Sequence, residues 1–337
     1  MKQILVTGGA GYIGSHTVVA LYEAGFQPII VDNLSNSKVV VIDRIEQITG
    51  QRPIFYQFDL RDGAQLDQLF KRHNIDAVIH FAGLKAVGES VEQPLRYYQC
   101  NLEGALSLFH VMAKHACHRL VFSSSASVYG DPVAVPIPET APLQPTNPYA
   151  RSKRMIEEFL GDLCVASPEW SVSLLRYFNP VAAHPSGLIG EDPNGPPNNL
   201  LPYIAQVGVG RREFVSVFGD DYDTRDGTGV RDYIHVLDLV EAHIKALAFI
   251  KHEPGCHIHN VGTGIGYSVL EMIAAFEIAS GVAIPYRMES RRAGDVATCF
   301  ADPSLSKTQL AWEARHDLAA MMRDHWRWQS ENPAGYV

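Results

Sequence analysis

Long apolar runs are missing from this 337-residue chain, and no stretch approaches the roughly 20 residues that a membrane-spanning helix needs. Positive charge is also scarce. Lys and Arg number 28 against 37 Asp and Glu, a net charge of −9, which argues against nucleic acid as a general partner but leaves room for a local anion pocket. Cysteine is sparse and unpatterned: Cys100, Cys117, Cys164, Cys256 and Cys299 are odd in number and contain no Cys-x-x-Cys pair. That excludes a disulfide framework and fits free thiols in a reducing, cytoplasmic compartment. His257-Ile258-His259 could turn two imidazoles to one side of a strand, but no third ligand stands near. A structural role is expected there, and no metal site. An apolar strand begins within three residues of Met1, so no signal peptide is expected.

What is present is phosphate-cradle chemistry at the start of the chain. Gln3-Ile4-Leu5-Val6-Thr7 reads as a strand and runs into Gly8-Gly9-Ala10-Gly11-Tyr12-Ile13-Gly14, then into the helical pattern Val18-Val19-Leu21-Tyr22. Gly8 and Gly11 permit a tight turn and close approach of backbone to a pyrophosphate, which a helix N-terminus attracts. Gly14 lets helix and sheet pack closely. A second strand, Pro28-Ile29-Ile30-Val31, ends in Asp32, where an acid bonds the adenosine ribose hydroxyls and repels a 2′-phosphate, favouring NAD over NADP.

Further apolar strands follow at Ile54–Gln57, Ala77–Phe81, Arg119–Phe122 and Val172–Arg176, separated by helical patterns. Near-continuous apolar strands between helices predict an α/β fold with a doubly wound parallel Rossmann sheet, ligands lying beyond the strands' carboxyl ends. From about residue 180 the texture becomes loop-rich, as in Asp192-Pro193-Asn194-Gly195-Pro196-Pro197. Residues 1–180 are therefore expected to form an NAD-binding domain and 181–337 a smaller mixed α/β substrate lobe, with segments free to cross back. Two other patterns call for plainer readings. Gly262-Thr263-Gly264-Ile265-Gly266 precedes the capping box Ser268-Val269-Leu270-Glu271, so it leads into a helix and is not a second nucleotide loop. His325-Trp326-Arg327-Trp328 suits packing better than base stacking.

The chemistry-bearing segment is Asn147-Pro148-Tyr149-Ala150-Arg151-Ser152-Lys153. Asn147 is a good N-cap and Pro148 suits the first helical position, so Tyr149 and Lys153 fall one turn apart on one face. A phenolate near pH 7 needs roughly 4 kcal/mol of help. A cation about 6 Å away supplies roughly 3 kcal/mol at an effective dielectric near 20. Lys153 together with an oxidised nicotinamide ring could cover the need. Ser125, at a strand end, is placed to hydrogen-bond a substrate hydroxyl and relay its proton to the tyrosinate.

The glycine fingerprint with Ser125, Tyr149 and Lys153 resembles the extended short-chain dehydrogenase/reductase superfamily. Gly8–His16, Phe81–Ser90, Arg176–Pro180 and Asp226–Val236 more closely resemble the UDP-glucose 4-epimerase family, in blocks that run in order through essentially the whole chain. The resemblance implies interconversion of UDP-galactose and UDP-glucose in galactose metabolism: Tyr149 takes the 4-hydroxyl proton, hydride leaves C4 for bound NAD, and the 4-keto sugar turns over and is reduced on its other face. It implies NAD contacts from Tyr12, Ile13, Asp32, Asn33, Leu34, Ser35, Asn36, Ser37, Asp59, Leu60, Phe81, Ala82, Gly83, Leu84, Lys85, Ser125, Tyr149, Lys153 and Phe178. For the UDP-sugar it implies Asn179, Asn199, Leu200, Ser216, Val217, Phe218, Arg231, Arg292 and Asp295, and also a homodimer. Arg231 and Arg292 suit a diphosphate, because guanidinium forks bond phosphate oxygens in pairs.

Two positions depart from the family's familiar bacterial pattern. Cys100 stands where an asparagine contacts the cofactor, although Asn101 follows, and Cys299 replaces a bulky tyrosine against the sugar. The smaller Cys299 predicts room for UDP-N-acetylgalactosamine and UDP-N-acetylglucosamine. Two alternatives compete. A nucleotide-sugar 4,6-dehydratase needs an Asp-Glu pair after the strand-end hydroxyl, where this chain has Ala126 and Ser127. A non-catalytic NAD-sensing protein has no need of Ser125, Tyr149 and Lys153 together.

Overall fold

The computed structural model describes residues 1–292 and 294–336. Seven parallel strands form its main sheet, in the order Gly255–Val261, Ser171–Tyr177, Arg119–Ser125, Ile75–His80, Gln3–Thr7, Gln27–Asp32, Ile54–Gln57. Alternation along each strand sends side chains to two cores. Leu5, Ile29, Val31, Val78, Leu120 and Phe122 join a cluster with Leu66, Leu108, Ile156 and Leu160 of three helices. Ile4, Val6, Ile30, Ala77, Ile79 and Val121 join the opposite cluster with Val18, Leu21, Val41, Leu239 and Ala246. Each such side chain contributes about 1.5–3 kcal/mol on burial, which explains why strands with apolar residues on both faces become central and parallel.

The chain does cross back after residue 181. The Gly255–Val261 strand pairs with Ser171–Tyr177 at the sheet edge, and the helix before it, Val236–Phe249, packs on the first helix, Tyr12–Glu23. The remaining segments form smaller sheets: Val230–His235 with Asn179–Val181, Gly266–Ser268 and Thr298–Cys299, and Val215–Phe218 with Tyr286–Glu289. Leu201, Ile204, Met272, Phe276 and Met321 fill a third core between these elements.

The local signals act as their chemistry predicts. Asn147 Oδ1 accepts from Ala150 N at 2.9 Å and starts the Pro148–Ala166 helix. Ser268 and Glu271 exchange both capping-box bonds. Trp328 is buried against Tyr336, and Trp326 packs edge-on to Phe276. His257 and His259 meet the Phe249 ring edge-on, and His259 Nε2 lies 2.9 Å from Gln309 Oε1.

Candidate active site

Beyond the carboxyl ends of the main sheet a cleft of about 1720 Å³ runs between it and the smaller sheets. One end is built by glycine. Gly8 has φ +70°, and a Cβ there would lie 2.8 Å from Ala82 N. At Gly14 a Cβ would stand 2.2 Å from Gly8 O, so only glycine lets the first helix begin so close to the first strand. At the tip of the second strand, Asp32 accepts from Ala10 N (3.1 Å), Leu34 N (2.9 Å) and Ser37 Oγ (2.9 Å). The backbone after Asp32 is bound across the cleft mouth, where Asn194 bonds Asn36 and Ser35 and Lys38 bonds Asp192.

Asn33 and Arg61 both donate to Asp59, which holds that carboxylate well below its usual range, the Arg61 fork being the larger cause. Asn101 Oδ1 accepts from Leu84 N at 2.8 Å and its amide donates to Leu84 O, so Asn101 shapes the Gly83–Lys85 turn from behind. Cys100 borders the cleft itself, its thiol pushed up by burial.

In the middle of the cleft lie Ser125, Tyr149 and Lys153. Lys153 is buried, its Nζ 2.6 Å from Ser123 O and 6.0 Å from the Tyr149 ring centre. Burial lowers the ammonium to about 8, against an upward pull from Glu157, so it is mostly charged at pH 7. Burial also pushes the Tyr149 phenol up, and the Ser125 hydroxyl pulls it partway back. The phenol is thus not ionised by the protein alone. Ser125 Oγ accepts from Ser127 Oγ at 2.8 Å and from Ser127 N at 3.2 Å. No carboxylate follows Ser125, where Ala126 and Ser127 stand.

At the other end are Asn179, Asn199, Leu200, Ser216, Val217, Phe218, Arg231, Arg292, Asp295 and Cys299. Arg292 lies over the Phe218 ring at 5.4 Å and reaches both Asp295 oxygens at 3.1 Å. Val217 belongs to the third core and borders the cleft. Leu200 begins a helix, and the preceding Asn199 side chain bonds Glu191, leaving the first amides of that helix without a side-chain cap. Cys299 pairs with Arg231, its thiol raised to about 11 by burial.

All the residues singled out from the sequence border this one cleft except Leu34. That residue has φ +59° and packs toward the core, bonding Asp32 through its backbone. Glu191, not legible in the sequence, has a buried side chain that accepts at 2.7 Å from both Lys85 Nζ and Asn199 Nδ2. Tyr177, at a strand's carboxyl end, also borders the cleft, and its hydroxyl bonds His243 Nε2. Neither lies in a spacing pattern of its own. The second glycine loop has an internal purpose, since Thr263 N and Gly264 N donate to the buried Asp232 carboxylate at 2.8 and 2.9 Å.

The family described as GDP-mannose 4,6 dehydratase matches residues 5–325. The UDP-glucose 4-epimerase of Bacillus subtilis (strain 168) is 58% identical over 333 residues, 99% of this chain and 98% of that protein. The Homo sapiens UDP-glucose 4-epimerase is 54% identical over 342 residues, 99% and 98% of the two chains. The crystal structure of UDP-glucose 4-epimerase from Bifidobacterium longum in complex with NAD+ and UDP superposes with a TM-score of 0.97 at 51% identity, covering 99% of this chain and 100% of that one. Those full-length matches, on a cleft with serine, tyrosine and lysine at its centre, place this chain in the UDP-glucose 4-epimerase family.

Proposed function

We propose that the chain is an NAD-dependent epimerase that interconverts UDP-galactose and UDP-glucose. The observation that carries this reading is the convergence on one cleft of the glycine cradle with Asp32, of Ser125 with Tyr149 and Lys153, and of Arg231 and Arg292. The cradle fits NAD. Gly8 and Gly14 leave no room for a side chain, the first helix points its N-terminus into the cleft, and the Asp32 carboxylate suits ribose hydroxyls and repels a 2′-phosphate. Gly11 to Ile13, Asp32, Asn33, Ser35 to Ser37, Asp59, Leu60 and Phe81 to Lys85 would hold it, with Lys153 and Phe178 toward the nicotinamide end. When bound, NAD supplies reversible hydride acceptance at the sugar C4.

Tyr149, once ionised, takes the proton of the 4-hydroxyl and later returns it, and Ser125 orders that hydroxyl. Lys153, anchored by Ser123 O with its Nζ 6.0 Å from the Tyr149 ring centre, supplies a positive charge that favours the phenolate. Uridine diphosphate is gripped by Arg231, Arg292 and the open helix start at Leu200, which leaves the hexose free to turn. The smaller Cys299 widens the hexose pocket toward N-acetylated UDP-sugars.

The cofactor domain in this reading comprises residues 1–180 with the returning segment Val236–Val261, and the rest of 181–337 forms the UDP-sugar lobe. A homodimer would cover the apolar strip of Leu106, Met155 and Phe159, which are 46%, 44% and 38% exposed on two neighbouring helices. The free thiols and acidic charge suit the cytoplasm.

The test is to mix purified protein with UDP-galactose and follow UDP-glucose. A 4-keto-6-deoxy product would identify a dehydratase instead, and retained NAD without turnover a sensing role. Denatured protein should release NAD after gel filtration, because the cofactor is regenerated in place.

A further inference from the structure

Glu157 completes a row on the helix that carries Tyr149 and Lys153. At spacings of four residues the three side chains share the face turned to the Arg119–Ser125 strand. Lys153 Nζ donates to Ser123 O, and one turn later Glu157 Oε1 accepts from Ser124 Oγ. Glu157 also accepts a forked pair from Arg176, Nε at 3.0 Å and Nη2 at 2.6 Å. Arg176 stands opposite Ser124 on the next strand. Its Nη1 donates to Tyr129 Oη at 3.0 Å and Glu139 O at 3.1 Å. The Arg176 and Glu157 side chains are only 2% and 4% exposed. Successive residues of Ser123-Ser124-Ser125 are thus held by Lys153, Glu157 and Ser127.

An ion pair this deep rarely adds net stability, because desolvation offsets its attraction. Its location gives it another use. We propose that Glu157 and Arg176 are positioning residues for the epimerase reaction, locking the Ser123–Ser125 segment to the helix of Tyr149 and Lys153 while presenting that pair with no net charge. The inference rests on the function proposed above. Other titratable groups facing this region are His80 from the Ile75–His80 strand, Tyr177 at the end of its own strand, Tyr129 and Glu139 after Ser125, and Cys164 and Cys256 on the flanking helix and strand. Burial keeps His80 neutral and the Tyr129 and Tyr177 protons in place and pushes the Glu139 carboxyl up, while the Cys164 hydrogen bond, with burial, holds the Cys256 proton, so Glu157 and Arg176 carry the charges packed directly against this segment.

The experiment is the pH dependence of kcat on UDP-galactose in NAD-loaded protein between about pH 6.5 and 10. The two limbs report the coupled Tyr149 and Lys153 pair. Glu157→Gln leaves the Arg176 cation facing them, favouring phenolate and disfavouring ammonium, so both limbs move down by about one pH unit. Arg176→Gln leaves the carboxylate and moves both limbs up by about as much. In both, plateau kcat falls roughly tenfold while KM stays within about twofold, since the uridine contacts lie elsewhere. The double variant Glu157→Gln with Arg176→Gln brings the limbs back to within roughly 0.3 unit of wild type. Limbs that stay put, or move the same way in both single variants, overturn the proposal. A buried charge left alone destabilises, so Glu157→Asp is the companion variant for protein that does not hold its fold. It keeps the charge one methylene back, so kcat falls by about threefold or more with unmoved limbs. Unchanged kcat in Glu157→Asp overturns the positioning role. Wild type that fails to convert UDP-galactose refutes the reaction itself, whereas active wild type with unresponsive limbs refutes only the role of the pair.

Discussion

Lowering the pH from 7 to 5 should unfold this protein through its buried histidines. His16, His80, His243, His259 and His325 are each at most 2% exposed. Burial is the first cause in every case and holds them neutral, with His16 and His80 lowered to about 3 and the other three to about 4. Unfolded, each titrates near 6.5, so below that pH the unfolded chain takes up protons that the folded chain refuses. Stability is therefore full above about pH 7 and is lost as pH falls through 6.5 toward the folded values. Each site loses about 2 kcal/mol between pH 7 and 5, so five together approach 9 kcal/mol, against a total stability of roughly 5–15 kcal/mol. Local opening of the fold reduces that figure, and half of it would still lower the melting temperature by many degrees. Asp59 and Asp67, held low by their basic partners, begin to lose stabilisation only at more acid pH, so they do not mask the effect. Calorimetry in steps from pH 7.5 to 5 should show a stability slope corresponding to four or five protons taken up near pH 5.5. His259→Gln, which keeps a polar group near Gln309, should reduce that uptake by about one. A melting temperature flat across this range would refute the reasoning.

Tyr149→Phe and Lys153→Met should each lower kcat by about 10²–10⁴-fold while UDP binding persists, and near-normal turnover in Tyr149→Phe would remove it as the base. Ser125→Ala should have a smaller effect than Tyr149→Phe in the same assay. Gly14→Ala places a Cβ 2.2 Å from Gly8 O, so the helix must shift and the purified variant should lose NAD on gel filtration; wild-type NAD content in it would contradict the cradle geometry. Cys299→Tyr should suppress turnover of UDP-N-acetylgalactosamine and largely spare UDP-galactose, and wild type inert to both N-acetylated substrates at saturation would show that the wider pocket is not used.

Much of the sheet was legible where a strand is apolar on both faces. Gln3–Thr7 is the clearest case, with Ile4 and Val6 in one core and Leu5 in the other. Strand ends were less clear: the apolar run stops at Phe122, yet the strand continues through Ser123 and Ser124 to the end expected at Ser125, because their backbone continues to pair with Leu175–Tyr177. The return of Gly255–Val261 to the sheet edge was also hidden. Strand order is decided by packing across some 80 residues of intervening chain, and no short-range pattern records it. Site residues from a spacing motif were readable, as with Tyr149 and Lys153. Residues that work through a partner from another element were not, since Glu157 with Arg176 and Glu191 with Lys85 become pairs only once the fold exists.

The two glycine loops show where a sequence pattern stops carrying information. Both place glycines after a strand and ahead of a helix, an arrangement that can turn backbone N–H groups toward an anion. In the Gly262–Gly266 loop the anion belongs to the chain. Asp232 is wholly buried and accepts from Thr263 N, Thr263 Oγ1, Gly264 N and Ala301 N, so the loop's donors meet an internal carboxylate beside Arg231. Around Gly8–Gly14, among the described residues, only Ala10 N meets a side-chain carboxylate, that of Asp32 at the next strand's end. The first helix also begins at Gly11 without a side-chain cap, so its leading amides face the cleft. The same backbone device therefore binds inward in one place and is left open to a phosphate in the other. The difference is set by which strand delivers an aspartate into the turn, a fact of sheet pairing that residue spacing alone does not contain.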